Sequence, residues 1–232
     1  MTAIELETRL KQDPAFPARQ AAVERERALY WAGFSELQQP ILEDFWSHGI
    51  SLTLLGDALT RSVPLGPEIV ELMLKWIGLT SDTRIGYWLV RPLVVVEERF
   101  DGKPLTVLFE RTSDDSLRWQ IGNVMTESRP FGITDWLIRA VENQAYGDGR
   151  QMLVLALARL APKDVAQPIL HRLPKDLPGF VALAWKEIGA EQELSVLEQG
   201  LAEAKPAWVK KEFLRAIKKI TQRLNAVPRV RH

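Results

Sequence analysis

Three histidines and three pairs of adjacent acids carry most of the chemistry this chain could bring to a substrate. His48, His171 and His232 would act as general bases or metal ligands, and Glu43/Asp44, Glu97/Glu98 and Asp114/Asp115 as carboxylate dyads. Neither set has the spacing its chemistry needs. No histidine has a second histidine or a carboxylate cluster at metal-ligand separation, so no metal is expected. A catalytic dyad needs two carboxylates converging on one cleft with separated pKa values. Neighbours on a helix point apart, so capping accounts better for Asp114/Asp115, and solvation for the other two pairs. His48, in FWSHG, is expected near a helix end, with a structural role for it and for His171. GDG at 147–149 is a lone Gly-x-Gly with no strand before it, and DGKP at 101–104 is a turn. Neither is a phosphate loop, and no Gly-x-Ser-x-Gly elbow is present. The expectation is a non-enzymatic protein with no catalytic residue and no cofactor.

The bulk composition agrees with a folded protein. The 232 residues are 46% hydrophobic and 26% charged, with 30 acids against 30 bases, enough length for a sizeable core. Cysteine is absent, which removes disulfides, thiolate metal sites and a cysteine nucleophile, and suits a cytoplasmic location. MTAIELETRL lacks the basic-then-apolar order of a signal peptide. No apolar run approaches the ~20 residues that span a bilayer, so no membrane contact is expected. Charge is unevenly placed. Residues 205–231 hold nine basic residues against Glu212 alone, leaving the rest acidic. Such polarity can steer a charged partner, although basic residues late in a helix also suit its dipole.

These residues must be positioned by helices, because apolar spacing is helical nearly everywhere. LVVVEERF at 93–100 is the one stretch resembling a strand, and it is expected to end a helix. Proline and glycine recur at short intervals and mark turns. Asp82, Asp115 and Asp148 are spaced by 33 and 33, and each precedes an arginine by two or three positions: Arg84, Arg118 and Arg150. Apolar or small residues follow each arginine in helical register. The frame resumes at Pro178 and Lys210, with steps of 34, 32, 28 and 32 between the five starts. Partner helices are expected at 68–77, 103–111, 134–143, 164–173 and 191–203, giving about five helix pairs. An aspartate before a helix can accept from its first backbone amides, and an arginine in the first turn can reach that aspartate or one in an adjacent repeat. Asp82, Arg84, Asp115, Arg118, Asp148 and Arg150 are thus expected to form a structural ladder. A greasy helix such as QMLVLALARL (151–160) is what a central unit covered on both flanks requires.

SDDSLRWQIGNVM and GDGRQMLVLALARL resemble the second helices of HEAT-like repeats, over roughly residues 64–222. The whole chain resembles uncharacterised bacterial HEAT-like proteins. The resemblance implies an all-α fold, a right-handed α-solenoid of about five pairs, in one continuous domain. Residues 1–63 would be an N-terminal helical cap, with a long charged amphipathic helix at 18–39 and one or two more helices at 40–59 around a turn at Gly49. Residues 223–232 would be a basic tail. The fourth repeat keeps Asp176 but has Pro178 where the arginine should stand, and the fifth has Lys210 and no aspartate before it.

Eight tryptophans are an unusual number. Trp76, Trp136 and Trp185 fall on apolar stripes and are expected in the core. Trp88 and Trp119 are rotated away from the core positions, toward the concave wall that second helices line in this architecture. There they would anchor a partner, or else pack between repeats. The same face includes Asn123, Gln151, Lys186, Lys211, Arg215 and Lys218. A wall graded from aromatic to basic suits a protein with an acidic edge. The resemblance implies a scaffold, an adaptor or a toxin-neutralising immunity protein. The alternative is a nucleic-acid-binding relative of HEAT-like alkylpurine DNA glycosylases, disfavoured by overall neutrality and by the lack of the Trp-Trp-Asp motif. An unrecognised small-molecule enzyme is a third, more distant alternative.

Overall fold

The computed structural model describes residues 2, 5, 13–60, 65–173 and 177–226. Asp176, Arg229, Arg231, His232 and the expected boundary at 63/64 lie outside them. Among the described residues the structure is helical, with no strand and one isolated bridge between Asp101 and Phe131. The all-α class expected from the spacing is therefore present. The chain forms two compact units, Met1–Leu55 and Gly56–His232.

In the first unit, α1 runs from Phe16–Ser47 without stopping at Pro40. This corrects the expected break between 39 and 40. A proline removes one amide and crowds the preceding turn, but Pro40 is exposed, while Phe34, Gln38, Ile41, Leu42 and Phe45 on either side of it are buried. That shared buried face holds both arms of the helix in line. Residues 20–32 are exposed all round, so the amphipathic stripe expected from 18 begins only near Phe34. Beyond the helix, Gly49 takes φ +74° and turns the chain. Trp46 Nε1 donates to Leu52 O at 2.8 Å, and the buried Gln38 Oε1 accepts from Leu55 N at 3.1 Å. These bonds fix the return of the chain with polar atoms that burial would otherwise leave unsatisfied.

The second unit opens with the single turn α2 (Asp57–Thr60), then alternates short helices. They are α3 (Pro67–Leu79), α4 (Thr83–Val90), α5 (Lys103–Arg111), α6 (Asp115–Ser128), α7 (Thr134–Glu142), α8 (Gln151–Leu160), α9 (Lys163–Arg172), α10 (Pro178–Ile188), α11 (Leu194–Glu203) and α12 (Ala207–Ala226). Each bounds one expected stretch, although α12 absorbs residues 223–226 of the expected tail. The 3₁₀ turn Arg91–Val95 continues α4, and the chain then leaves helix at Val96, short of the end expected at 100. Val96 takes extended backbone, φ −73° and ψ 121°, and further along Phe131 N bonds Phe100 O while Gly102 N bonds Phe131 O, both at 2.9 Å.

Consecutive helices pack as pairs: α3 with α4, α5 with α6, α7 with α8, α9 with α10 and α11 with α12. The second members also pack side by side in chain order, α4, α6, α8, α10 and α12. The expected apolar frame supplies this core. Ile121, Val124, Met125, Leu153, Ala156, Leu157, Ala184, Trp185, Ile188, Phe213, Ala216 and Ile220 are all buried. The helix α8 buries Met152, Leu153, Val154, Ala156, Leu157 and Ala158, because α6 and α10 cover its two flanks. Of the tryptophans expected in the core, Trp185 is fully buried and Trp76 and Trp136 are half-buried. Trp136 keeps its indole N–H at the surface, where it donates to Glu110 Oε1 at 2.6 Å.

Arginines tie one pair to the next. Arg111, at the end of α5, donates from Nη1 to Gly78 O, Leu79 O and Thr80 O at the end of α3, at 3.3, 3.4 and 3.1 Å. Arg159 reaches back from α8 to Thr126 O at 3.2 Å and Glu127 Oε1 at 3.0 Å on α6. Arg223 reaches from α12 to Lys186 O, Glu187 O and Gly189 O at the end of α10, at 3.1, 2.8 and 3.0 Å. The last carbonyls of a helix have no partner inside it, and the guanidinium also meets the negative end of the dipole. Arg223→Met, which keeps the stem and removes the donors, is expected to cost about 1–3 kcal/mol in urea unfolding, with Arg223→Lys intermediate.

The row needs close approach at Gly122. A Cβ there would stand 2.7 Å from Met152 Cβ and 3.3 Å from Met152 backbone carbon on α8. Glycine inside a helix is ordinarily ~0.5–1 kcal/mol worse than alanine. Here the sign is expected to reverse: Gly122→Ala should lower stability by about 1–3 kcal/mol through overpacking, measured by the urea midpoint at unchanged slope.

Candidate functional site

The open face of the α4–α6–α8 row holds a cavity of about 350 Å³, lined by Tyr87, Asp115, Ser116, Trp119, Gln120, Asp148 and Gln151. It draws on three consecutive second helices, so it exists only because they stand side by side. Tyr87 comes from α4, the next four residues from the first two turns of α6, Asp148 from the 3₁₀ turn before α8, and Gln151 from the first position of α8.

Local capping sets these positions. Asp82 Oδ1 accepts from Arg84 N at 2.9 Å and Ile85 N at 3.2 Å, which starts α4. Arg84 turns back onto the same carboxylate, Nη2 to Oδ2 at 3.0 Å. The hydrogen bond from Arg84 holds the Asp82 carboxyl below its usual pKa, outweighing partial burial. At α6 the cap is Asp114, not Asp115: Asp114 Oδ1 accepts from Leu117 N at 2.7 Å. That corrects the capping role expected for Asp115, which is the first residue inside the helix and faces the cavity. Asp148 does not cap α8 either. It sits in the 3₁₀ turn Gln144–Arg150, the first residue of α8 follows Arg150, and no side chain caps that end.

The two glycines around Asp148 have separate structural tasks. Gly147 takes φ +50° and ψ −134°, open to glycine and strained for other residues. A Cβ on Gly149 would lie 2.7 Å from Arg118 Cδ and 3.2 Å from Asp115 Oδ1. The glycine therefore lets α6 seat its arginine against the next pair. Arg118 lies with its guanidinium 5.6 Å from the Phe109 ring and 5.0 Å from Tyr146, with Nε 3.3 Å from Phe109 O and Nη1 3.6 Å from Asp115 Oδ1. Arg150 is almost wholly buried, donating to Gly147 O and Val141 O at 3.3 Å each. In Asp82–Arg84 and Asp115–Arg118 the two charges belong to the start of the same helix. Contact with the following pair comes through Arg118 against Gly149.

Trp119 and Gln151, expected on one wall, do meet in the cavity. Trp119 is 38% exposed and Gln151 half-buried. Asn123, one turn along α6, is half-buried and outside the lining. Trp88 does not join them; its ring lies over Gly56, where a Cβ would come within 3.0 Å. Lys186 is half-buried on α10. Lys211, Arg215 and Lys218 are exposed on α12, beyond α10 from the cavity, and Arg215 pairs with Glu212 in its own helix. Burial pushes the Tyr87 hydroxyl pKa up, and the charge of Asp114 adds to this against a hydrogen bond with Ser116. Tyr87 therefore presents a neutral phenol. The sequence pattern assigned Asp115 and Asp148 to the ladder and missed that they also face this cavity. Their positions, four residues before Trp119 and three before Gln151, were the available signal.

A second cavity of about 460 Å³ lies among α9, α10, α11 and α12, lined mostly by apolar residues including Trp185, Leu197, Val209 and Phe213. His171 is on its wall, its ring 4.8 Å from that of Trp185 and its Nε2 3.6 Å from the fully buried Glu193. The sequence reading gave His171 a structural role and did not anticipate Glu193, which accepts from Ala190 N at 2.6 Å at the start of the α11 segment. A histidine backed by a carboxylate is a base in many enzymes, but the described lining has no serine, threonine or tyrosine beside it to activate. His48, by contrast, sits at the end of α1 with Nδ1 2.8 Å from Asp44 O. Among the described residues no three His, Asp or Glu side chains gather as a metal site would. No described helix is long and apolar enough to cross a membrane.

No protein family, curated protein or solved structure matches this chain. Its class rests on the helical architecture described here.

The capping geometry gives a pH-dependent expectation. Because the Asp82 pKa is lowered in the folded chain, its contribution is complete above the ordinary value of 3.8 and is lost as pH falls through the lower folded value. Asp82→Ala should therefore cost about 0.5–2 kcal/mol near neutrality. The difference from the wild type should shrink as urea unfolding is repeated at pH values falling below 3.8.

Proposed function

We propose that this chain is a non-enzymatic protein-binding scaffold, a right-handed HEAT-like α-solenoid of about five helix pairs with an N-terminal helical cap. Its second helices α4, α6, α8, α10 and α12 form the concave groove that receives the partner. The observation that carries the reading is the exposed Trp119, set on a cavity shared by three consecutive helices. Tryptophan is an interface anchor because it can bury a large apolar surface while keeping one polar handle. Ile121 and Val124 on the same helix are fully buried, so Trp119 is not needed to complete the core. The exposed Lys211, Arg215 and Lys218 supply a basic end for an acidic edge of the partner. An adaptor, or an immunity protein that sequesters a toxin, would use such a groove.

Nucleic-acid binding is the second reading, favoured by the exposed bases of α12. The carboxylates of Asp115 and Asp148 in the middle of the same row count against it, since a phosphate backbone following the groove would pass them. A salt-dependent shift assay separates the two: DNA binding that is absent at ~50 mM salt retires the second reading.

The test of the scaffold is retention of a partner by the tagged full chain from its source cell, repeated with Trp119→Ala and Arg215→Glu. Each substitution is expected to reduce retention at least about tenfold, the ~1.4 kcal/mol scale of an interface anchor, with unchanged helical circular dichroism. Retention indifferent to both changes, or no partner retained, would overturn the groove.

A further inference from the structure

We propose that the cavity between α4, α6 and α8 is the receptor for a single arginine side chain carried by an extended segment of the protein partner. The inference rests on the scaffold reading, and it names the chemistry of the contact. The lining supplies two aromatic rings, Tyr87 and Trp119, two carboxylates, Asp115 and Asp148, two amides, Gln120 and Gln151, and the hydroxyl of Ser116, with no cation among them. At about 350 Å³ the space is near the lower limit of ligand pockets, ~300–1,000 Å³, and suits one side chain better than a larger molecule.

The positive groups nearby are already engaged. The start of α6 is met by the Asp114 cap. Arg118 is 13% exposed and drawn over Phe109 and Tyr146, whereas the Asp115 side chain remains 59% exposed although it lies 3.6 Å from that arginine. Asp148, which also lines the cavity, is exposed too. An entering cation therefore meets two available carboxylates and an exposed indole. Each interaction is modest alone, whether a cation over an aromatic ring or an exposed ion pair, so the site depends on offering both. Guanidinium satisfies both demands at once, because its plane stacks on Trp119 while its edge donates to a carboxylate. An ammonium can do one or the other at a given position. An anionic partner side chain would meet like charge here, so the acidic edge expected of the partner belongs at α12 and its arginine at α4–α8.

The probe is a blocked tri-arginine peptide titrated into the full chain. The indole N–H resonance of Trp119, assigned with Trp119→Phe, and the Gln151 side-chain amide report binding. Tri-lysine and tri-glutamate peptides serve as comparisons. Tri-arginine should move both signals saturably in the low millimolar range, about threefold or more tighter than tri-lysine, and tri-glutamate should leave them in place. Asp115→Asn with Asp148→Asn should weaken the tri-arginine contact about tenfold while Tyr87 and Trp119 remain. The inference is overturned if the Trp119 signal stays unmoved to about 10 mM tri-arginine, if tri-lysine binds equally well, or if the double variant binds unchanged. Those failures leave the partner-retention assay intact: retention that still depends on Trp119 would mean the face binds protein through apolar contact without an arginine.

Discussion

A helix that ends against another helix leaves its last carbonyls where neither its own backbone nor bulk water fully serves them. In the larger unit, among the described residues, three of the four steps between pairs meet ends of this kind with a long arginine from the following pair. Arg111 serves α3, Arg159 serves α6 and Arg223 serves α10, at separations of 31 to 37 residues. Each donor sits near the end of its own helix and reaches across to the same end of a neighbour. Register between pairs is thus set by charged hydrogen bonds at one end of the helices. Apolar packing alone would tolerate a small slide. At the opposite end Arg118 and Gly149 make the corresponding contact between α6 and the turn before α8.

Between those ends the spacing of the row is set by small residues. Gly86 lies against Leu117, and Gly122 against Met152, so α4 meets α6 and α6 meets α8 with little side chain between them. Thr126 adds a hydroxyl that bonds Gly122 O in its own helix and lies 3.2 Å from Met152 O in the next. Close spacing matters to the site because the cavity at Trp119 takes its walls from three helices. A wider step would separate Tyr87 from Gln151 and remove a wall from the space.

Helix positions were legible in the sequence, since periodic apolar residues and Pro/Gly punctuation act locally. The segments 103–111 and 191–203 end where the spacing placed them. Features that depend on three-dimensional neighbours were not legible. Pro40 looks like a stop in isolation and is carried by burial of Phe34, Ile41 and Phe45 on both sides. Asp114 and Asp115 are chemically identical, and only the turn geometry decides that the first caps α6. The helical frame puts Trp88 and Trp119 on one wall, yet Gly56 lies under one ring, while the other opens on a cavity. Arg111, Arg159 and Arg223 carry a repeat-length spacing to their acceptors, but carbonyl acceptors leave no mark in a sequence.

The same economy explains why Asp115 and Asp148 face outward. A carboxylate near the start of a helix is favoured by the dipole whether or not it caps, so these positions tolerate acids at little cost to folding. Asp114 alone completes the cap of α6, which leaves Asp115 dispensable for the start of that helix. Asp148 is held outward by the glycines on either side of it, and α8 begins without a side-chain cap. The charge at the middle of the row is therefore separable from the architecture that displays it. Arg118 and Arg150 behave in the opposite way, since their guanidinium groups are packed against rings and carbonyls and their removal would open the fold. The charges that hold the helices together are thus turned inward, while Asp115 and Asp148 can be exchanged at little cost to the packing of the row.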